Sequence, residues 1–147
     1  MAIKSLGLVA LLATMSSFSG TWGGDSYRVY VNNKLVLEEF VHNQKSVKSI
    51  QLNQNAADDQ VSVYYSHCGK TGTARNLTIR DAKNKVVKEW TYANASGKDQ
   101  GMTWKAKDVL ALQKSGDKFN MYYSSKEMPA GKMLAHVMLS KDNLSKP

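Results

Sequence analysis

A chain of 147 residues, 42% hydrophobic with 10 glycines and 2 prolines, has the size and composition of one globular domain and is neither collagen-like nor disordered. Its 20 basic and 12 acidic residues give a formal net charge of +8. The lysines are scattered, Arg28, Arg75 and Arg80 are the arginines, and no long run of like charge occurs, so nucleic acid is not an expected partner.

At the N-terminus, Lys4 precedes the apolar run Leu6 to Met15, and Ser17-Phe18-Ser19 follows it. Charge, apolar run and small residues in that order predict a signal peptide over residues 1–19, cut before Gly20. The run is too short to cross a bilayer, and no other apolar run approaches that length, so no transmembrane segment is expected. The expected location is the periplasm or the extracellular space. A lead-in over residues 20–24, a single domain over 25–140 and a polar tail over 141–147 complete the expected organisation.

Tyr27, Val29 and Val31 alternate with Arg28 and Tyr30, the period of a half-buried strand. Asn32-Asn33 tolerates positive φ, which predicts a tight hairpin into a second strand, Leu35 to Val41. That strand is apolar on both faces in places, as a central strand is. Ser46 to Leu52 reads as a strand, although Lys48 blurs its faces, and Asn53 to Asp59 as a polar loop. Val61, Val63 and Tyr65 then share one face. Leu77 and Ile79 repeat the pattern, and Asp81-Ala82-Lys83-Asn84-Lys85 is turn chemistry that makes Leu77 to Tyr92 a hairpin. Its second arm puts Lys88 between Val86 and Trp90 unless a bulge intervenes.

After the loop Asn94 to Gly101, Met102 to Lys107 predicts a short strand. Asp108 to Lys114 predicts a helical turn capped by Asp108 and stopped by Gly116. Phe119, Met121 and Tyr123 alternate again. Pro129 and Gly131 predict a turn over Ser125 to Lys132, before a last strand from Met133 to Leu139. Eight or nine short strands at this spacing predict an all-β, two-sheet antiparallel sandwich. Its core candidates are Tyr27, Val29, Val31, Val61, Val63, Leu77, Ile79, Trp90, Phe119, Met121 and Val137. The helical turn, Gly116-Asp117 and the aromatic strand resemble the corner before strand F of immunoglobulin-like domains. The likeness is architectural, since the Cys…Trp…Cys spacing of that family is absent.

Chemistry is concentrated between the strands, in His67-Cys68-Gly69-Lys70-Thr71-Gly72-Thr73-Ala74-Arg75. A lone cysteine excludes an intramolecular disulfide. His67, Cys68, Lys70 and Arg75 are the candidate binding residues, and this loop with Asn94–Gly101 is the expected contact surface. Cys68 with His67, His136 and His42 is the candidate metal set. Thiolate, imidazole and the methionines suit copper, but a blue-copper loop is absent, and no C-x-x-C or H-x-x-x-H pair suggests zinc. No cofactor is therefore expected, with copper the alternative.

Catalytic signatures are weak. Neighbouring His67 and Cys68 would point opposite ways on a strand, and Glu38-Glu39 would be split between two faces. Tyr30, Tyr64 and Tyr122 each fall opposite their strand's apolar face. Outward tyrosines either pair across strands or bind a glycan or protein. The functional expectation is a non-enzymatic exported binding or structural module whose partner is a protein or glycan at the cell envelope. The alternative is a soft-metal or thiol redox site built on Cys68 with a histidine.

Overall fold

A computed structural model of the chain describes residues 24–95 and 100–141. The expected signal peptide, most of the lead-in and nearly all of the polar tail lie outside the described residues. In chain order come β1 (Ser26–Val31), β2 (Lys34–Phe40), β3 (Ser49–Asn53), β4 (Gln60–His67), β5 (Lys70–Thr71) and β6 (Arg75–Arg80). Then follow β7 (Val86–Tyr92), β8 (Met102–Lys105), the short helix α1 (Ala106–Leu110), β9 (Lys118–Ser125) and β10 (Met128–Ser140). Among the described residues no helix is long and apolar enough to cross a membrane.

The strands form the expected two-sheet sandwich. One sheet runs β2-β1-β4-β5, with β8 also paired to β4; the other runs β3-β10-β9-β6-β7. Among the described residues all pairs are antiparallel except β3 with β10, where Ile50 lies opposite Val137 and Leu52 opposite Leu139. The alternating sets meet between the sheets. Tyr27, Val29, Val61, Val63, Leu77, Ile79, Phe119, Met121 and Val137 are buried in one core, with Val31 and Trp90 packed against it. Burial of each large apolar side chain is worth about 1.5–3 kcal/mol. Aromatic contacts cross the gap directly: Tyr65 stacks on Tyr123 at 4.2 Å and Trp90 on Trp104 at 5.2 Å.

Turn chemistry sets the hairpins. Asn32 and Asn33 adopt φ of 49° and 67°, the left-handed pair that a two-residue hairpin requires. Asp81 accepts the amides of Lys83 and Lys85, and Asn84 sits at φ 64°. A bulge is present, since the register slips between Ile79 and Arg80, but it falls at Val87, before Lys88, so Lys88 stays on the face of Trp90 with its ammonium 5.9 Å from that ring. The bulge turns Val87 toward the core and leaves Val86 exposed.

Four local expectations are corrected. β2 is an edge strand, not a central one, and Leu35, Val36 and Phe40 stand exposed along it. Two features suit an edge: a register slip opposite Val29/Tyr30, and the inward Glu39, which pairs with Lys48 at 2.5 Å. α1 begins at Ala106 on a Lys105 cap, so Asp108 lies inside its first turn and caps nothing. Pro129 and Gly131 do not mark a turn. They sit in an irregular opening stretch of β10, where Gly131 takes φ 78°, and the turn itself is Lys126-Glu127. Finally, the strands number ten among the described residues, because β5 is too short to announce itself.

Candidate functional site

Strand parity builds the first cluster. Val61, Val63, Tyr65 and His67 point inward from β4, and Phe119, Met121, Tyr123 and Ser125 from β9. At the end of the sandwich their polar tips meet. His67 Nε2 lies 2.8 Å from the Tyr123 hydroxyl and 3.3 Å from Ser125 Oγ. Its Nδ1 faces Asp25 at 3.5 Å. Tyr65 donates to the same carboxylate at 2.9 Å, and the Cys68 thiol reaches it at 3.6 Å. The tautomer with its proton on Nδ1 lets Nε2 accept from the Tyr123 hydroxyl while Nδ1 faces the carboxylate. Burial raises the Tyr123 and Tyr65 hydroxyls above their ordinary range, and the bond to Asp25 raises Tyr65 further, so both remain neutral donors.

Ser125, His67 and Asp25 stand in the order of an acyl-transfer triad. Their surroundings give them another task. Ser125 is 4% exposed and accepts the Met128 amide at 3.2 Å, while the closer partner of His67 Nε2 is Tyr123. No open face is left at Ser125 for an acyl group. The cluster ties β4 to β9 and to Asp25 ahead of β1.

Gly72 closes this cluster from outside. A Cβ there would overlap the Tyr123 hydroxyl and lie 2.9 Å from His67 Nε2. Beside it the β9–β10 turn is strapped down from both sides. Glu127 accepts the Thr73 amide at 2.9 Å and its hydroxyl at 2.7 Å, and Lys126 N donates to Thr73 O at 2.8 Å. The Thr73 amide and hydroxyl hold the Glu127 carboxyl at about 2. Since Tyr123 is stacked and cannot swing away, Gly72→Ala lowers the unfolding free energy by about 1–3 kcal/mol. Urea titration checks this, and an unchanged midpoint would show that the loop simply lifts off.

The expected binding residues divide. Cys68 (φ 51°) and Gly69 (φ 89°) form the two-residue turn joining His67 to Lys70, so Cys68 and Lys70 are exposed at a hairpin tip. His67 points inward. Arg75 is 2% exposed and donates to Gln100 O at 2.7 Å and Ala93 O at 3.0 Å. It holds the two sides of the Asn94–Gly101 loop rather than facing a ligand; residues 96–99 of that loop lie outside the described residues. His136 bonds Asn120 at 2.6 Å on the other sheet, and His42 lies against Gly24. His67 and Cys68 both reach Asp25, but among the described residues no group of three or more His, Cys, Asp and Glu side chains has an arrangement that could hold a metal ion.

A second site lies on the outer face of the β2-β1-β4 sheet. Register puts Arg28 opposite Tyr64 and Tyr30 opposite Ser62. Tyr30 and Tyr64 meet edge to face at 5.6 Å and 79°. Arg28 lies 5.9 Å above the Tyr64 ring and donates to the Tyr30 hydroxyl at 3.4 Å. With Asn33 and Ser62 these residues line an open depression of about 340 Å³. Gly101 supports it: a Cβ there would come within 2.7 Å of Tyr64 Cζ. On the other sheet the arginine–tyrosine pair is arranged differently: Arg80 covers the Tyr122 ring at 4.0 Å and is anchored to Asn84.

Alternation alone picked out Tyr30 and Tyr64. It puts Arg28 on the face of Tyr30 but misses it as a site residue, because its meeting with Tyr64 depends on strand register. No protein-family model matches the chain, and comparison with curated proteins and with solved structures found no match.

Proposed function

We propose that the chain is a non-enzymatic binding module, exported to the cell envelope or beyond, that holds its ligand on the outer face of the β2-β1-β4 sheet. The observation that carries this reading is the open depression in which Tyr30, Tyr64 and Arg28 are already assembled, with Asn33 and Ser62 at its sides. A pair of fixed rings offers an apolar surface at little ordering cost, and the polar groups around it give direction. A glycan matches both features: the C–H face of a sugar covers a tyrosine while its hydroxyls bond Ser62 and Asn33. Lys4 and the apolar run Leu6 to Met15 support export.

An array of immobilised oligosaccharides probed with the mature chain and with Tyr64→Ala tests the binding surface. The expected result is retention by the mature chain and a loss of about tenfold or more in the variant, with the fold intact by circular dichroism. Undiminished retention by a folded Tyr64→Ala variant would remove this face from consideration. Mass spectrometry of the expressed protein tests export. A processed N-terminus near Gly20 is expected, and an unprocessed cytosolic chain would overturn the location.

A further inference from the structure

Resting on that reading, we infer that the ligand is an acidic saccharide, one whose rings carry carboxylate or sulfate groups. Arg28 is the source of the preference. It is exposed, and its guanidinium is held by the two tyrosines, not by an acid. Glu38 is its cross-strand neighbour in β2, yet the ion pairs among the described residues are Lys48 with Glu39 and His67 with Asp25. A guanidinium carries five N–H donors in a planar fork. The Tyr30 hydroxyl engages one nitrogen and leaves the rest of the fork for an anion.

The rest of the depression agrees in charge. Its lining is Arg28, Tyr30, Asn33, Ser62 and Tyr64, with no carboxylate among them. Glu38, the nearest acid in register, lies outside the lining and forms no ion pair with Arg28, so a positive group at the rim of a tyrosine platform is left to select a ring that bears a negative substituent. The platform is set before the ligand arrives, since Tyr64 is wedged between Tyr30 and Gly101. At about 340 Å³ the space falls within the usual size of small-ligand sites. The formal charge of +8, which becomes +7 once Lys4 leaves with the signal peptide, adds a long-range pull on anionic polymers that salt will weaken. Nucleic acid also joins anions to flat rings, but it needs a basic track along its backbone. This depression has one arginine and no lysine in its lining.

The test compares a short oligogalacturonide with its fully methyl-esterified form, which keeps the rings and loses the charge. Calorimetry should show the mature chain favouring the acid form by about tenfold or more at low salt. Arg28→Gln should abolish the preference and leave residual binding of both forms. Because Arg28 is exposed, its circular dichroism should be unchanged. Equal binding of the two forms, sensitive to Tyr64→Ala, would overturn the acidic preference and leave the saccharide-binding face standing. No binding of either form would overturn the preference and the saccharide reading together. So would retention of a single-stranded oligonucleotide with no preference for the uronate.

Discussion

Replacing Arg75 with methionine lowers the unfolding free energy by about 2–3 kcal/mol. The side chain is buried and bonds the carbonyls of Ala93 and Gln100, and no acid faces it closely enough to form an ion pair. Each bond from a charged donor is worth about 1.5–3 kcal/mol. Removing a buried charge returns part of its desolvation cost, which holds the net loss below the sum of the two. Methionine fills most of the volume, so the effect is on the polar clamp and not on a cavity. Hydrogen exchange at Ala74 reports the same event, because its amide is held by Asn94 Oδ1 at 2.8 Å and that residue follows Ala93 directly. The exchange rate rises in the variant. Arg75→Lys recovers less than half the stability, since a single ammonium cannot span both carbonyls in the fork geometry. A stability within about 0.5 kcal/mol of the parent, the usual scatter of surface substitutions, would show that these carbonyls find other partners.

The second large effect is alkaline unfolding. Burial, opposed in part by the Gln44 bond and assisted by Glu39, pushes the Tyr27 hydroxyl up to about 12. Tyr65, Tyr92 and Tyr123 are raised as well, each chiefly by burial. In the unfolded chain these phenols ionise near the ordinary value of 10. Above that pH the unfolded state releases protons that the native state keeps, so each further step in pH favours unfolding. The stabilisation is whole below pH 10 and is lost as the pH climbs through the native values. Far-ultraviolet circular dichroism and the part of the tyrosinate absorbance that belongs to these four of the seven tyrosines should change together in one cooperative step above pH 10. Ionisation of these four residues with the dichroism unchanged would contradict the assignment. Tyr92→Phe makes the step less steep, because one fewer linked proton is released.

These effects also mark what the sequence discloses. Parity along a strand is readable, and where it was followed it led to Tyr27, Val29, Val61, Val63, Phe119 and Met121. The same parity runs on to His67 from Tyr65, to Ser125 from Tyr123, and back to Arg75 from Leu77. Extended by one step, it places all three polar residues indoors. Their residue types and the neighbouring glycines instead suggested a solvent-facing loop. Neighbour relations are another matter. Nothing in Leu35 to Phe40 says which strands lie beside it, so an apolar edge strand and a central one read alike. Pro129 and Gly131 mislead for a related reason, since a bulge and a turn use the same residues. The candidate surface is half legible: alternation puts Arg28 and Tyr30 on one outward face and Tyr64 on another strand's, but only the β1–β4 register brings Tyr64 to them.

The position of β10 has a consequence for how the protein is made. This strand, the last one described, lies between β3 and β9 and carries the one parallel pairing among the described residues. A nascent chain still inside the ribosome at Met128 therefore lacks the middle of a sheet. Ile50 and Leu52 have no strand beside them, and Leu134, Val137 and Leu139 have not yet reached the core. Closure waits on contacts that span most of the sequence, which slows folding relative to a protein stitched from local hairpins. Until β10 is made, the sheet stays open on both sides of its place, at β3 and at β9.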